Sequence, residues 1–234
     1  PYSAFVGFIL GTGTNSAYLE LNTNITKLTN LPASGAQIIN IESGGFDKIP
    51  GGSIDQNFDS TTIKPGSYRF EKMISGAYLG PLSSRVLEEA IEAGLFSAPA
   101  AAALKKLLPL DTVSVDRFLH NPYDTGNPLA SACAEAAARS TCFTLADTVI
   151  ERAAKLAAVN LAATILKGES GQDPSFPVAI CADGTTFYKS KDLMFRTRYY
   201  LKQYLQDEKG RYIEFLHNDD APIIGAAVAA LLNM

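Results

Sequence analysis

The chain reads as an α/β protein built on a mixed β-sheet, and three observations predict it. Two apolar strand patterns near the start, residues 5–10 and 16–21, are joined by a glycine–threonine turn too short for a helix. A third strand pattern, residues 36–41, precedes a long stretch of helical periodicity. Helix and strand patterns then alternate to the end, which is the order that places helices against a sheet with parallel strands.

Taken in order, residues 5–10 form an apolar run that predicts a buried strand. From Ser16 the pattern alternates, with Ala17, Leu19 and Leu21 on one face and Ser16, Tyr18 and Glu20 on the other. Between them, Gly11-Thr12-Gly13 predicts a tight hairpin. It is neither a dinucleotide-binding glycine motif, which needs a helix after it, nor a P-loop, which needs a lysine. Pro50-Gly51-Gly52 and Lys64-Pro65-Gly66 predict a loop over 47–66. Helical patterns are predicted from about Tyr68 to Ala93, over 98–107 and over an alanine-rich 128–166. A strand from Phe176 to Cys181 leads into a second glycine–threonine turn at Asp183–Thr186. A helix at 190–206, a strand at 211–217 and a helix at 221–233 complete the pattern.

With 234 residues, 47% of them hydrophobic, the chain is long enough for a sizeable core. Its net charge of −4 and the lack of any Lys/Arg cluster argue against nucleic acid as a partner. Glu135, Arg139, Asp147, Glu151, Arg152 and Lys155 interrupt the alanine-rich segment well short of a membrane span, so no membrane association is expected. Cys133, Cys142 and Cys181 have no Cys-x-x-Cys spacing and only two histidines to help them. They read as buried, reduced thiols of a cytoplasmic protein, with no metal site. No signal peptide is visible, and Pro1, so close to an apolar strand, raises the expectation that the chain belongs to something longer.

Two turns of Gly and Thr, each directly after an apolar strand, suit phosphate, because bare glycine backbone lets it approach closely and strand ends converge where ligands bind. Glu42 stands at a strand end before Gly44-Gly45, and Glu71 stands early in a helix. Each has an ordinary reading, Glu42 as a solvated loop residue and Glu71 as a favourable charge at a helix start. A carboxylate also suits paired sugar hydroxyls, and an amide such as Asn15 both donates and accepts.

Residues 7–18, Gly-Phe-Ile-Leu-Gly-Thr-Gly-Thr-Asn-Ser-Ala-Tyr, carry a specific resemblance together with two further blocks. These are Ile-Asn-Ile-Glu-Ser-Gly-Gly-Phe (39–46) and Phe-Glu-Lys-Met-Ile-Ser-Gly-Ala-Tyr-Leu-Gly (70–80). In order and spacing they resemble the eukaryotic-type hexokinase/glucokinase family. Val178–Tyr188 is similar to the family's later strand and nucleotide turn, and Asp219–Leu231 to its terminal acidic-to-helix segment.

The resemblance implies the large domain of a hexokinase, with an actin-like (RNase H-like) ATPase fold and a mixed sheet flanked by helices. It implies transfer of the ATP γ-phosphoryl group to the 6-hydroxyl of a hexose, glucose above all. Asn15, Glu42 and Glu71 would meet the sugar. Gly11, Thr12, Gly13, Asp183, Gly184 and Thr185 would meet the nucleotide, with Mg²⁺ arriving mainly on ATP.

Three departures qualify what the resemblance implies. Tyr68 stands where the family commonly has glutamine, and Ala221-Pro222-Ile223-Ile224-Gly225 replaces a Gly-Ser-Gly-x-Gly pattern. The family's small domain, with the catalytic aspartate and half of the sugar contacts, has no counterpart in these residues, so no catalytic residue is assigned and the chain alone is expected to be inactive. Two other classes remain. One is a non-catalytic sugar-binding or sensor protein that kept Glu42 and Glu71 without the base. The other is a structural or chaperone protein of the wider actin-like class, which would have no need of them.

Overall fold

A computed structural model describes residues 1–218 and 220–232. Its centre is a five-stranded sheet in the order β3-β2-β1-β4-β5. The strands are β1 (Ala4–Leu10), β2 (Thr14–Leu21), β3 (Ala36–Asn40), β4 (Val178–Asp183) and β5 (Ile213–Leu216). β1 and β2 form the predicted hairpin, β3 adds antiparallel to β2, and β4 and β5 add in parallel on the other side of β1. The mixed sheet expected from the sequence is present.

Ten α-helices follow in chain order among the described residues: α1 (Ser53–Ser60), α2 (Arg69–Ile74), α3 (Leu79–Glu92), α4 (Ala98–Lys105), α5 (Thr112–His120), α6 (Pro128–Ala132), α7 (Ala136–Lys167), α8 (Thr185–Lys189), α9 (Leu193–Leu201) and α10 (Ala221–Leu232). α9 runs on into a π-helical segment, Lys202–Glu208. The single helix expected over 68–93 is two, α2 and α3. Between them the chain is drawn aside at Gly76, whose N–H donates to the Gly11 carbonyl at 2.8 Å. Residues 128–166 also divide, at 133–135, into α6 and α7. α1 and α5 were not anticipated. α1 begins inside a segment whose Pro-Gly-Gly reads as loop, and α5 is short, with Asp111 capping it through the Ser114 N–H at 2.6 Å.

The sheet is covered on one face, and on β2 that face is the polar one. Val6, Phe8 and Leu10 of β1 are buried, but Phe5 and Ile9, expected inside, are 56% and 51% exposed. On β2 the polar set faces inward. Ser16 is 2% exposed and Glu20 9%, while Leu19 and Leu21 lie open to solvent. The polar face is tolerated because each buried group has a partner. Tyr18 Oη donates to Glu20 Oε2 at 3.1 Å, Asn24 Nδ2 donates to Glu20 Oε1 at 2.8 Å, and Lys167 at the end of α7 pairs with Glu20 at 3.2 Å. Leu19 and Ile38 are direct cross-strand partners on the open face. Cys181 lies there too and is exposed, contrary to the buried thiol expected; Cys133 and Cys142 are buried.

The covered side holds the core. Small residues along α7 (Ala146, Ala153, Ala154, Ala157, Ala158, Ala162) let it lie close to its neighbours, and α3, α9 and the sheet pack around it. Phe8 meets Phe187 edge-on at 5.4 Å, and Phe187 stacks on Phe215 at 5.7 Å, tying β1, α8 and β5 together.

The loop over 59–66 is fixed to α2 by charge. Lys72, 4% exposed, donates to Asp59 Oδ1 and to the Lys64 carbonyl, and Asp59 Oδ2 accepts the Gly66 N–H at 2.6 Å. Burial alone would raise the Asp59 pKa, but the Lys72 ammonium and the Gly66 N–H outweigh it and hold the carboxyl below its ordinary value. A carboxyl with a lowered folded-state pKa adds stability above its unfolded pKa, and that stability is lost as pH falls through the folded value. Urea midpoints are therefore expected to fall steeply below about pH 4, the ordinary aspartate range. Asp59→Asn should shallow that acid limb, and an identical limb in the variant would remove Asp59 from the account.

Candidate sugar and phosphate site

Glu42 follows β3 and takes up a left-handed backbone conformation (φ 54°, ψ 44°) that opens the turn Ser43–Gly45. An L-residue reaches this region at a cost of about 1–3 kcal/mol, so the surroundings must hold it there. They do so with amides. Asn15 Nδ2 donates to Glu42 Oε1 at 3.1 Å and to Asn40 Oδ1 at 2.6 Å, and Asn40 Nδ2 donates to Glu42 Oε1 at 2.6 Å. Asn15 Oδ1 in turn accepts the N–H groups of Ser16 at 2.7 Å and Ser43 at 3.2 Å. The Asn15 amide is thus fixed with its NH₂ toward Glu42.

Glu71 arrives from the first turn of α2. Its Oε2 accepts the Thr14 N–H at 3.1 Å. A methyl group on Gly13 would lie 2.7 Å from that oxygen, and one on Gly44 3.1 Å from it, so hairpin and glutamate turn close on the carboxylate from two sides. The structure therefore brings together the three residues predicted for the sugar, Asn15, Glu42 and Glu71. Beside Glu71 opens a cavity of about 570 Å³ lined by Tyr68, Lys72, Tyr78, Phe58 and Ile63. Tyr68, at the position where a glutamine was expected, is also left-handed (φ 56°).

The predicted phosphate turns meet as well. Thr186 Oγ1 donates to the Gly11 carbonyl at 3.0 Å, the same oxygen that accepts the Gly76 N–H. Ala77 N–H donates to the Thr12 carbonyl at 3.2 Å. Within the hairpin, Gly11 N–H bonds the Gly13 carbonyl at 2.9 Å, which leaves the Thr12 and Gly13 N–H groups outside that bond. Thr12 and Thr185 are exposed, and Asp183, half-buried, closes β4 on the same sheet face as Ile9. Tyr188 Oη donates to the Ala182 carbonyl at 2.9 Å; burial first, then the Asp183 carboxylate, raises its pKa and keeps the phenol protonated. Asp219, included in the terminal acidic segment read from the sequence, lies outside the described residues.

Sequence reasoning missed four participants. Asn40 shares the Glu42 carboxylate, and the signal was its place two residues earlier on β3. Gly76 lay within a quoted block, and its junction role shows only in the fold. Thr112, which donates to the Gly76 carbonyl at 2.7 Å and accepts the Gly80 N–H at 2.8 Å, sits in a region with no recognisable pattern. Asn160 reaches the site from α7, far along the chain, and nothing local marks it.

A sheet of this order and mixture, with two glycine turns meeting at its strand ends, defines a domain of the actin-like ATPase fold. The solved structures it resembles include a hexokinase from Schistosoma mansoni complexed with glucose, at a TM-score of 0.75 and 24% identity, covering 93% of this chain and 50% of that one. Residues 5–232 match the hexokinase family model, and the chain belongs to the hexokinase family. Among curated relatives, the hexokinase-like 1 protein of Arabidopsis thaliana is 32% identical over 240 residues, and hexokinase-1 of Nicotiana tabacum 32% over 245. Each alignment takes in 97% of this chain and 49% of the relative, so the chain spans about half the length of the curated relatives it matches.

Proposed function

We propose that this chain is the sugar- and nucleotide-binding half of an ATP-dependent hexose kinase, acting on glucose in the cytoplasm. The observation that carries the reading is the meeting of Asn15, Glu42 and Glu71 beside the joined turns at Gly11, Gly76 and Gly184.

In this reading Glu42 and Glu71 accept hydrogen bonds from neighbouring sugar hydroxyls, and the amides of Asn15 and Asn40 hold Glu42 in place. Charge-assisted bonds of this kind are short and directional, so they fix the ring and thereby its 6-hydroxyl. The open backbone at Thr12 and Gly13 and the hydroxyls of Thr12 and Thr185 suit phosphate oxygens. Asp183 is the one carboxylate on these turns and suits a hydrated divalent ion that travels with the phosphates. When bound, Mg²⁺-ATP supplies the phosphoryl group and the neutralising charge. The 6-oxygen forms its bond to the γ-phosphorus as the bond to the β–γ bridging oxygen breaks. The hydroxyl proton leaves to a base that this reading places in the other half of the enzyme, since Glu42 and Glu71 are engaged in holding hydroxyls.

The test is a coupled assay with glucose, ATP and Mg²⁺ on the full-length gene product and on this chain alone. The full-length product is expected to form hexose 6-phosphate, with this chain slower by at least about 10²-fold, the low end for loss of a general base. Sugar binding without turnover in the full-length product would favour the sensor reading. Equal rates for the two forms would place the base within these 234 residues.

A further inference from the structure

Asn160 stands half-buried on α7, flanked along the helix by the buried Ala157, Leu161 and Thr164. Its side-chain amide nevertheless reaches two backbone segments more than a hundred residues away. Nδ2 donates to Ser16 Oγ at 3.0 Å and to Ser43 Oγ at 3.5 Å, Ser16 Oγ donates to Asn160 Oδ1 at 3.2 Å, and the two serine hydroxyls lie 3.1 Å apart. Ser16 and Ser43 are 2% and 6% exposed and Asn160 is half-buried, so the serine hydroxyls are shielded from water and their bonds are worth more than surface ones.

These two serines are also the residues whose backbone N–H groups hold Asn15 Oδ1. Ser43 directly follows Glu42, and the Ser16 carbonyl accepts the Ile41 N–H at 2.9 Å, on the other side of it. One side chain on α7 therefore clamps β2 to the glutamate turn at the points that orient the Asn15 amide and carry the left-handed Glu42.

We propose that Asn160 is a positioning residue for sugar recognition, acting through Ser16 and Ser43 to hold Asn15 and Glu42 in register. Asn160 touches no substrate; it fixes the long helix to the turn, so that the carboxylate meets the sugar already oriented.

The proposal rests on Glu42 binding the hexose, and the experiment separates the two. Glucose and ATP KM values and thermal midpoints are measured on the full-length gene product and on the variants Asn160→Ala, Ser43→Ala, their double variant and Glu42→Gln. Asn160→Ala is expected to raise the glucose KM about three- to tenfold, the equivalent of one neutral hydrogen bond, with the ATP KM unchanged. Ser43→Ala, which probes the same link without touching α7, should do likewise. The double variant should fall short of the sum of the two single ones, because both remove bonds of one coupled cluster. If Glu42→Gln weakens glucose binding while Asn160→Ala and Ser43→Ala do not, the positioning role is wrong. Equal rises in both KM values with a lowered thermal midpoint would mean a purely structural role and overturn it as well. A Glu42→Gln variant with unchanged glucose KM would overturn the sugar-site reading itself, and this proposal with it.

Discussion

Glu71→Gln is expected to weaken hexose binding by roughly ten- to more than hundredfold, with much less effect on ATP. A hydrogen bond to a charged group contributes about 1.5–3 kcal/mol, and each 1.4 kcal/mol is tenfold in affinity. The substitution keeps the shape of the side chain and one acceptor oxygen, so the Thr14 N–H that Glu71 accepts retains a partner. What is lost is the charge, in a niche that Gly13 and Gly44 leave barely wide enough for the carboxylate. Glu42→Gln should act in the same direction, with an added effect from the Asn15 and Asn40 amides that face its Oε1. Isothermal titration with glucose on the full-length gene product decides it. Unchanged sugar affinity in both variants would remove these carboxylates from the site.

Gly184→Val is expected to destabilise the fold before it says anything about nucleotide. Gly184 has φ 115° and ψ 132°, a conformation reserved for glycine, and a methyl group there would lie 2.3 Å from the Leu10 carbonyl oxygen and 2.8 Å from the Gly11 nitrogen. Those atoms end β1, which is paired on both sides and has little freedom to move. Conformational strain costs about 1–3 kcal/mol and overpacking about 1–3 more, a large share of the roughly 5–15 kcal/mol that holds a domain together. Denaturant midpoints on this chain measure it. From sequence alone, a bulky residue at Gly184 is expected to raise the ATP requirement and spare hexose binding. The structure changes that expectation, because the Gly184 turn bears on the same β1–β2 hairpin that positions Thr14 and Asn15. A stability equal to that of the unsubstituted chain would show that the turn relaxes away from β1.

Much of the site was legible because its parts are local. Gly11-Thr12-Gly13, Glu42 before its glycines and Glu71 in the first turn of a helix each lie in one short segment, and strand and turn patterns place such segments at strand ends. The alternation on β2 also separated Leu19 and Leu21 from Ser16 and Glu20. Its faces were read correctly; which of them is covered was not a property of the strand. That depended on Asn160, Lys167 and Asn24 supplying partners for Ser16 and Glu20, so that a polar face became the buried one and an apolar face stayed open.

The sequence by itself determined the α/β class with its mixed sheet, and the short segments that carry Asn15, Glu42, Glu71 and the two glycine–threonine turns, since hydrophobic period and glycine placement act over a few residues. Only the tertiary structure decided where the helix after Tyr68 breaks, that Gly76 and Thr112 join the glycine–threonine turns, and that Asn160 links to the Glu42 turn through two serines. These depend on hydrogen bonds between residues tens to more than a hundred positions apart, which exist only once the sheet has brought their backbones together.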